Sequence, residues 1–493
     1  MFKKILVANR GEIAVHIICA CRDLGIRTVA VYTPVDIGAM HVRLADECAP
    51  LTTESGYQDQ QEMLRVAQKT GVDAIHPGYG FLAEESAFVH ACEDAGITFI
   101  GPSSATLSAV KDKIGALERV QSAGYTTVQY SSLSLDESDM DAIQAEAEKL
   151  GYPLIVKSNS GGRGRGTRLV RSPDQLQKAV ERTVGDTRAI FHDQRIYLEH
   201  AILNAHYVEV QLLSDQHGHM VHLGERDSSI QRNSQKIIDE APSPILTDEQ
   251  RERLWKTAIE VAHLFDYQGV CTTEFVIDET GQFFFTEIKA RIQVESPVTE
   301  MISGVDIVRE QLRIAAGEPL AFTQSDIQLR GWAMQCRINA EDPTKRFLPS
   351  PGKITFFRPP IGPHVRVDAY VTQGSTITEY FDPMLAKLTV WAEDRTTCLQ
   401  RMRRAVADFA IRGVQTNLPL IQHMLNDPDF ARGYYTTEFA RRPLLPKTGD
   451  SEHLRNLAIA AAIDYVRRRT VTRTSQPEQL LRGWHRSSRR LPE

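Results

Sequence analysis

Lys4 to Ala8 is a short apolar run, Glu12 to Leu24 carries apolar residues at helical spacing, and Arg27 to Tyr32 is a second apolar run reached after Gly25. That order predicts a strand, a crossover helix and a second, parallel strand. The rhythm continues through a helix near Gln58 to Lys69, a strand from Asp73 to His76, a helix near Glu84 to Ala95 and a strand from Ile97 to Ile100 before Gly101-Pro102. Parallel strands need crossovers that cover the sheet faces, so the amino-terminal part is expected to be a doubly wound α/β sheet. Its first turn, Ala8-Asn9-Arg10-Gly11-Glu12, lacks the three glycines of a dinucleotide fingerprint, which argues against NAD or FAD there.

At 493 residues the chain exceeds one ordinary core and is expected to divide into several domains. The boundaries read as 1–112, a linker and lid over 113–203, a core and carboxy-terminal part over 204–446, and an extension over 447–493. From Ser103 to Ala123 a helical segment leads out of the first sheet, and the Ser-rich stretch Ser131 to Ser138 precedes a smaller α+β unit. Val208 to Leu213 and His219 to Leu223 are expected to pair as a hairpin. Thr247 to Gln250 is a capping box opening a helix whose Leu254, Ala258, Val261, Ala262 and Phe265 share one face. Strand-like runs recur from Gly331 to Val390 before an arginine-rich helix near Thr396 to Phe409.

Charge narrows the partners. The formal net charge of −6 offers no bulk attraction to nucleic acid or anionic membrane. The segment from Lys447 onward is the exception, with ten Lys or Arg against five acids, which suits either a solvated helix and tail or a docking element for an acidic surface. Seven cysteines without a disulfide framework or a CxxC pair fit a reducing cytoplasm, and the amino-terminal apolar run is too short for a leader or anchor. Cys19 and Cys21, two apart on a helix, point to different faces and do not suggest a metal site.

Two segments carry chemistry. Ser160 to Gly166 lies between strand-like runs, and Gly161, Gly162, Gly164 and Gly166 would let backbone N–H groups approach phosphate oxygens. The order is not that of a Walker A loop, because Lys157 precedes the glycines and a strand follows them. A lid over a nucleoside triphosphate, with Arg163 and Arg165 as further cations, and a plain surface turn both fit. In the second segment, Thr272 to Asp278 and Gln282 to Arg291 flank Thr280-Gly281. A two-residue turn there sets Glu274 directly across from Glu287, with Cβ atoms about 5 Å apart, an unfavourable pairing unless a cation lies between them. Mg²⁺, with Mn²⁺ as a substitute, suits two carboxylates beside phosphates. Continued alternation places Glu287, Lys289, Arg291, Gln293 and Glu295 on one polar face.

Several motifs then resemble one family in order: Ala8 to Ala14, His76 to Leu82, Arg291 to Glu295 with Pro297 to Glu300, Cys336 to Asp342, and Pro349 to Ile354. From about Phe2 to Arg442 the chain resembles biotin carboxylase. The resemblance implies an ATP-grasp fold with a mobile lid, preceded by a Rossmann-like domain and followed by a barrel-like carboxy-terminal part. It implies a ligase that uses ATP and bicarbonate to carboxylate biotin, working in an acetyl-CoA or other acyl-CoA carboxylase and hence in fatty acid biosynthesis. Biotin would arrive in trans on a carrier protein, since the chain has no Met-Lys or Lys-Met dipeptide. The implied partners are the biotin carboxyl carrier protein, the carboxyltransferase subunits and a second copy in a homodimer.

Residue by residue, the resemblance assigns ATP to Lys113, Lys157, Gly161, Gly162, Gly164, Arg165, Gly166, Glu199, His200, Leu203 and Gln231, and the metal to Glu274 and Glu287. It assigns bicarbonate to Lys236, Arg291, Gln293 and Val294, the base to Glu295, and the biotin enolate to Arg337 with Asp382 nearby. Arg291 is expected to keep Glu295 ionised. The chain departs from the family pattern where Lys289 replaces an asparagine, Ser234 and Tyr207 each replace a histidine, and Ser160 and Arg163 interrupt the glycine run. A catalytically weakened paralogue with a regulatory or scaffolding role, and an ATP-grasp ligase acting on an amine, are the alternative readings.

Overall fold

A computed structural model describes residues 1–131, 139–159, 166–191, 195–232, 235–442 and 451–469. The chain forms two compact units, Met1–Leu444 and Leu445–Glu493. In the first unit, Lys4–Val7 (β1), Arg27–Tyr32 (β2), Glu47–Pro50 (β3), Ala74–His76 (β4) and Thr98–Phe99 (β5) form one sheet in the order β3-β2-β1-β4-β5. Every pairing in it is parallel, as the alternation of elements requires. The strand β3 has no sequence signature, because Glu-Cys-Ala-Pro alternates exposed and half-buried residues and contains no apolar run.

The helical segment after β5 is two helices, Ser104–Lys111 and Lys113–Ser122. Asp112 breaks it, and its carboxylate caps the second helix by accepting from the Gly115 N–H, which sets Lys113 at the first helical position. Next comes a three-stranded antiparallel sheet of Leu154–Ser158 (β6), Thr167–Val170 (β7) and Ile196–His200 (β8), with β6 central. The helices Met140–Leu150 and Leu176–Phe191 pack on it through Ile143, Ala147, Val180 and Val184.

The largest sheet is antiparallel. It contains His206–Ser214 (β9), Met220–Arg232 (β10), Gln235–Ala241 (β11), Gly269–Ile277 (β12), Phe283–Lys289 (β13), Trp332–Asn339 (β14), Val365–Ala369 (β15) and Met384–Ala392 (β16), in the order β13-β12-β9-β10-β11-β14-β16-β15. The helix Asp248–His263 begins at the expected capping box of Thr247 and Gln250, and it buries Leu254, Ala258, Val261 and Ala262. No described helix is long and apolar enough to cross a membrane. In the second unit, Ser451–Arg469 is a helix whose Leu457, Ile459, Ile463, Tyr465 and Val466 are exposed.

The β12–β13 connection differs from the two-residue turn that the sequence suggests. Ile277 pairs with Phe283, and the Asp278 N–H donates to the Gln282 carbonyl, so the loop is Glu279-Thr280-Gly281 with Gly281 at φ +81°. Asp278 Oδ1 accepts from the N–H groups of Thr280 and Gln282 and stabilises that loop. The register slips by one between Phe275 and Glu274, where Thr286 is an extra residue whose hydroxyl donates to the Glu274 carbonyl. Glu274 therefore does lie opposite Glu287, through a longer loop and a compensating bulge.

A second correction concerns the polar alternation, since β13 ends at Lys289. Arg291, Gln293 and Glu295 lie in the connection to the helix Ser296–Ser303, which has Pro297 in its first turn. Proline at that position favours a helix start, so the strand cannot run on to Glu295.

Candidate functional site

Arg226 on β10 is fully buried, and strand pairing sets it opposite Glu209 on β9. Its Nε donates to Glu209 at 2.8 Å, and its Nη1 donates to Gln211 at 3.0 Å and to Thr299 at 3.2 Å. Its Nη2 donates to Thr272 at 3.1 Å and to the Gln293 side-chain oxygen. The whole guanidinium fork is thus satisfied, which a buried arginine requires. Gln293 in turn donates through Nε2 to Glu274 Oε1 at 2.5 Å, and the Tyr207 hydroxyl donates to the other oxygen of Glu274.

Above this platform, Lys236 on β11 donates to Glu209 Oε1 and Glu295 Oε1 and lies 3.8 Å from Glu274. Arg337 on β14 donates through Nη2 to Glu295 Oε2 at 2.8 Å, and its Nε lies 3.9 Å from Asp239. Glu295 is 2% exposed and carries one cation on each carboxylate oxygen. Burial pushes its pKa up, but Lys236, Arg337 and Arg226 prevail and hold it well below the usual carboxylate range. Burial works to lower the Lys236 pKa, and its carboxylate neighbours outweigh it and raise it.

A second cluster adjoins on β13. Glu287 Oε2 accepts from Lys289 at 2.8 Å and lies 3.3 Å from the Lys113 ammonium. Burial would raise the Glu287 pKa, and Lys113, Lys289 and Lys157 bring it well below the ordinary value. Lys157 bonds both oxygens of Glu199, at 2.7 and 2.8 Å. Asn159 joins these elements, accepting from the Ile114 N–H at 3.2 Å and donating to Asp112 at 3.1 Å. Lys113, which pairs with Glu287, and Lys157, which pairs with Glu199, both act on the charge of Glu287.

Arg291 is not the neighbour of Glu295 that the alternation implied: its Nε lies 3.2 Å from Glu84 and its Nη1 donates to the Ile292 carbonyl. The reason is the end of β13 at Lys289, which turns the Arg291 side chain toward the amino-terminal part. Val294 is half-buried in the turn before Ser296. Gln231 faces Lys236 across the β10–β11 pair and donates to the Ser228 carbonyl at 2.7 Å. His200 ends β8 and Leu203 lies in the turn beyond it, both half-buried. Asp382 is exposed and accepts from the Met384 N–H at 3.0 Å, and among the described residues no ion pair joins it to Arg337.

Gly166 has φ +75°, and its carbonyl accepts from the Ser158 N–H at 2.9 Å. A Cβ there would meet Ser158 at 3.0 Å, so the lid root needs glycine on two counts. Gly161, Gly162, Arg163, Gly164, Arg165 and Ser234 lie outside the described residues. Sequence reasoning missed Arg226, Asp239 and Asn159. The pointer to Arg226 was the polar run Glu225-Arg226-Asp227-Ser228-Ser229 inside a strand-forming stretch, every residue of which is buried.

Three family models match the chain: the biotin carboxylase N-terminal domain over residues 1–107, the ATP-binding domain of the carbamoyl-phosphate synthase L chain over 112–323, and the biotin carboxylase C-terminal domain over 335–442. A biotin carboxylase of Nostoc sp. is 44% identical over 444 residues, 89% of this chain and 99% of the relative. The 2-oxoglutarate carboxylase small subunit of Hydrogenobacter thermophilus is also 44% identical, over 89% of this chain and 93% of its own length. Among solved structures, the biotin carboxylase domain dimer of the Hydrogenobacter thermophilus 2-oxoglutarate carboxylase, in complex with MgADP, ADP and bicarbonate, superposes with a TM-score of 0.87 at 43% identity, covering 90% of this chain and 97% of that one. The Campylobacter jejuni biotin carboxylase bound to a β-γ-ATP ligand gives 0.86 at 38% identity, covering 90% and 99%. Similarity of this extent, along nine tenths of the sequence and across every element that builds the two ion clusters, shows that the chain belongs to the biotin carboxylase family.

Proposed function

We propose that the chain is the biotin carboxylase component of a biotin-dependent carboxylase, an ATP-dependent ligase that carboxylates biotin held on a carrier protein. The observation that carries this reading is Glu295, a buried carboxylate with Lys236 on one oxygen and Arg337 on the other. Such a group is ionised at neutral pH and adjoins cations that an incoming bicarbonate can share.

In this reading, Lys236 turns from Glu295 to the bicarbonate oxygens, assisted by Gln293 and the Val294 N–H, and Arg291 closes the Glu84 side. Losing a share of its cations makes Glu295 a stronger base. It takes the bicarbonate proton, the freed oxygen attacks the γ-phosphorus of ATP, and ADP leaves with carboxyphosphate as the product. Lys113 and Lys157 face the phosphates, Lys157 exchanging Glu199 for them. The glycine loop with Arg165 covers them, while His200, Leu203 and Gln231 lie toward the nucleotide. Arg337 then stabilises the negative charge that develops on the ureido oxygen of biotin, and Asp382 borders that approach.

The metal fits at Glu287. Its carboxylate would hold a hard cation arriving on phosphate oxygens, with Glu274 opposite it in the strand pair. Bound there, Mg²⁺ would neutralise phosphate charge.

The acceptor is chosen by the carboxyltransferase partner. An acyl-CoA, acetyl-CoA first, is the reading we put forward. The competing acceptors are those in the names of two relatives, a pyruvate carboxylase of Methanothermobacter thermautotrophicus and the 2-oxoglutarate carboxylase of Hydrogenobacter thermophilus. A cytoplasmic homodimer working with a biotin carboxyl carrier protein completes the proposal.

The test is ATP hydrolysis with free biotin, with and without bicarbonate. Hydrolysis that rises with bicarbonate and biotin is expected. Hydrolysis indifferent to bicarbonate would sink the assignment, and a silent wild type revived by Lys289→Asn would transfer the chain to a regulatory or scaffolding role.

A further inference from the structure

The pairing of Glu274 with Glu287 across β12 and β13 sets two carboxylates side by side, which calls for positive charge. The structure supplies that charge from the chain itself. Lys289 is two residues beyond Glu287 on the same strand, so both side chains leave the same face. Its Nζ lies 2.8 Å from Glu287 Oε2, and Lys113 reaches the same oxygen at 3.3 Å. The side chains of Lys289 and Lys113 are 17% and 15% exposed, so solvent screens these contacts weakly. Glu274 has Tyr207 and Gln293 on its two oxygens and Lys236 at 3.8 Å. A metal ion bridging the two carboxylates would have to displace the Lys289 ammonium, which has no lone pair to offer as a ligand.

We infer that Lys289 is a built-in counter-cation: it occupies the place of a bridging metal between Glu274 and Glu287, so the nucleotide brings the only divalent ion the site takes. The inference rests on the nucleotide-binding reading above. It makes Lys289 a residue that sets metal stoichiometry by supplying a fixed charge where two facing carboxylates would otherwise call for a second ion.

Mn²⁺ is the probe. At saturating ADP, the number of Mn²⁺ ions bound per full-length chain is counted from the loss of the free-ion electron paramagnetic resonance signal, beside nucleotide binding by calorimetry. The wild type is expected to bind one Mn²⁺ per ADP, and Lys289→Asn two. Lys289→Met, which removes the charge without offering a ligand oxygen, is expected to hold one ion and to bind ADP at least tenfold more weakly at low Mn²⁺. Two ions in the wild type would overturn the inference even if a variant failed to fold, and so would equal counts in wild type and Lys289→Asn. Failure of the wild type to bind ADP at any Mn²⁺ concentration would overturn the nucleotide reading itself, and this inference with it.

Discussion

In the proposed function Glu295 is the base on which the chemistry turns, and its surroundings make a separable prediction. Glu295→Gln keeps the shape and the hydrogen-bonding capacity toward Arg337 but cannot accept a proton. Bicarbonate-dependent ATP hydrolysis should fall by about 10² to 10⁴-fold, the range of a lost general base. ADP affinity, measured by calorimetry, should stay within about threefold, because Lys113 and Lys157 belong to the neighbouring cluster. An equal loss of ADP binding would show that Glu295 shapes the nucleotide site instead. Because Lys236 and Arg337 outweigh burial and hold the folded-state pKa of Glu295 well below the usual carboxylate range, protonation of Glu295 in the free protein cannot set an acidic limb of the rate profile near neutral pH. These partnerships were only half legible. Lys236 and Arg337 both bond Glu295, whereas Arg291 faces Glu84, and the charges that hold Glu295 ionised are those of Lys236, Arg337 and Arg226. Alternation along one strand sees neighbours two residues apart, and Lys236 comes from a strand that nothing local links to Glu295.

At the scale of elements, the β12–β13 hairpin shows how a sequence argument can reach a correct pair by an incorrect route. Thr280-Gly281 reads as a two-residue turn, yet the loop has three residues, and Thr286 restores the register through a bulge that no local pattern announces. The break at Asp112 was legible in principle, since an aspartate followed three residues later by a small residue is a capping arrangement. A clearer element-level device is Glu62, in the first turn of the helix Gln60–Thr70. Its oxygens accept from the N–H groups and hydroxyls of Thr52 and Thr53, clamping the segment after β3 to the helix. Burial would raise its pKa, but these donors prevail and lower it to about 2 from 4.5. A depressed folded-state pKa means that the clamp stabilises fully above the unfolded value and is lost as acid carries the pH from about 4.5 toward about 2. Glu62→Gln should therefore cost about 2 kcal/mol at pH 7, the scale of hydrogen bonds to a charged group. In urea unfolding at pH 7, 5 and 3.5, the gap to wild type should narrow at the lowest pH. A gap that stays constant would mean that the carboxylate charge plays no part.

At the scale of the whole first unit, the amino-terminal motifs meet residues brought in from Phe381 and Lys387. Asn9 donates to the carbonyls of Pro77 and Tyr79, and Arg10 bonds Asp36 while its guanidinium lies 4.0 Å from the centre of the Phe381 ring. Glu12, on the first helix, pairs with Lys387 of β16 at 3.0 Å, with both side chains essentially out of solvent. The parallel architecture of the amino-terminal sheet could be read from apolar runs, but this long-range pair could not, because 375 residues separate partners that only the finished fold brings together. Burial raises the Glu12 pKa to about 7, against the opposing pull of Lys387. A raised folded-state pKa contributes stability that is complete below the unfolded value of 4.5 and drains away as the pH climbs through about 7. Removing the ammonium should let this loss continue further into the alkaline range, because nothing then favours the ionised form. Lys387→Met should thus be mildly destabilising at pH 6 and become worse above pH 7 by up to about 1.4 kcal/mol per pH unit. Breaking a buried pair typically costs about 3 to 5 kcal/mol, which sets the ceiling. In Glu12→Gln/Lys387→Met no buried carboxylate remains at position 12, and Asp368 retains Arg366 at 2.9 Å. The double variant should therefore recover part of the stability and lose the extra pH dependence. Urea unfolding of the four proteins between pH 6 and 8.5 checks this, and a Lys387→Met penalty that does not change with pH would refute the coupling of Glu12 ionisation to the contact between the first helix and β16.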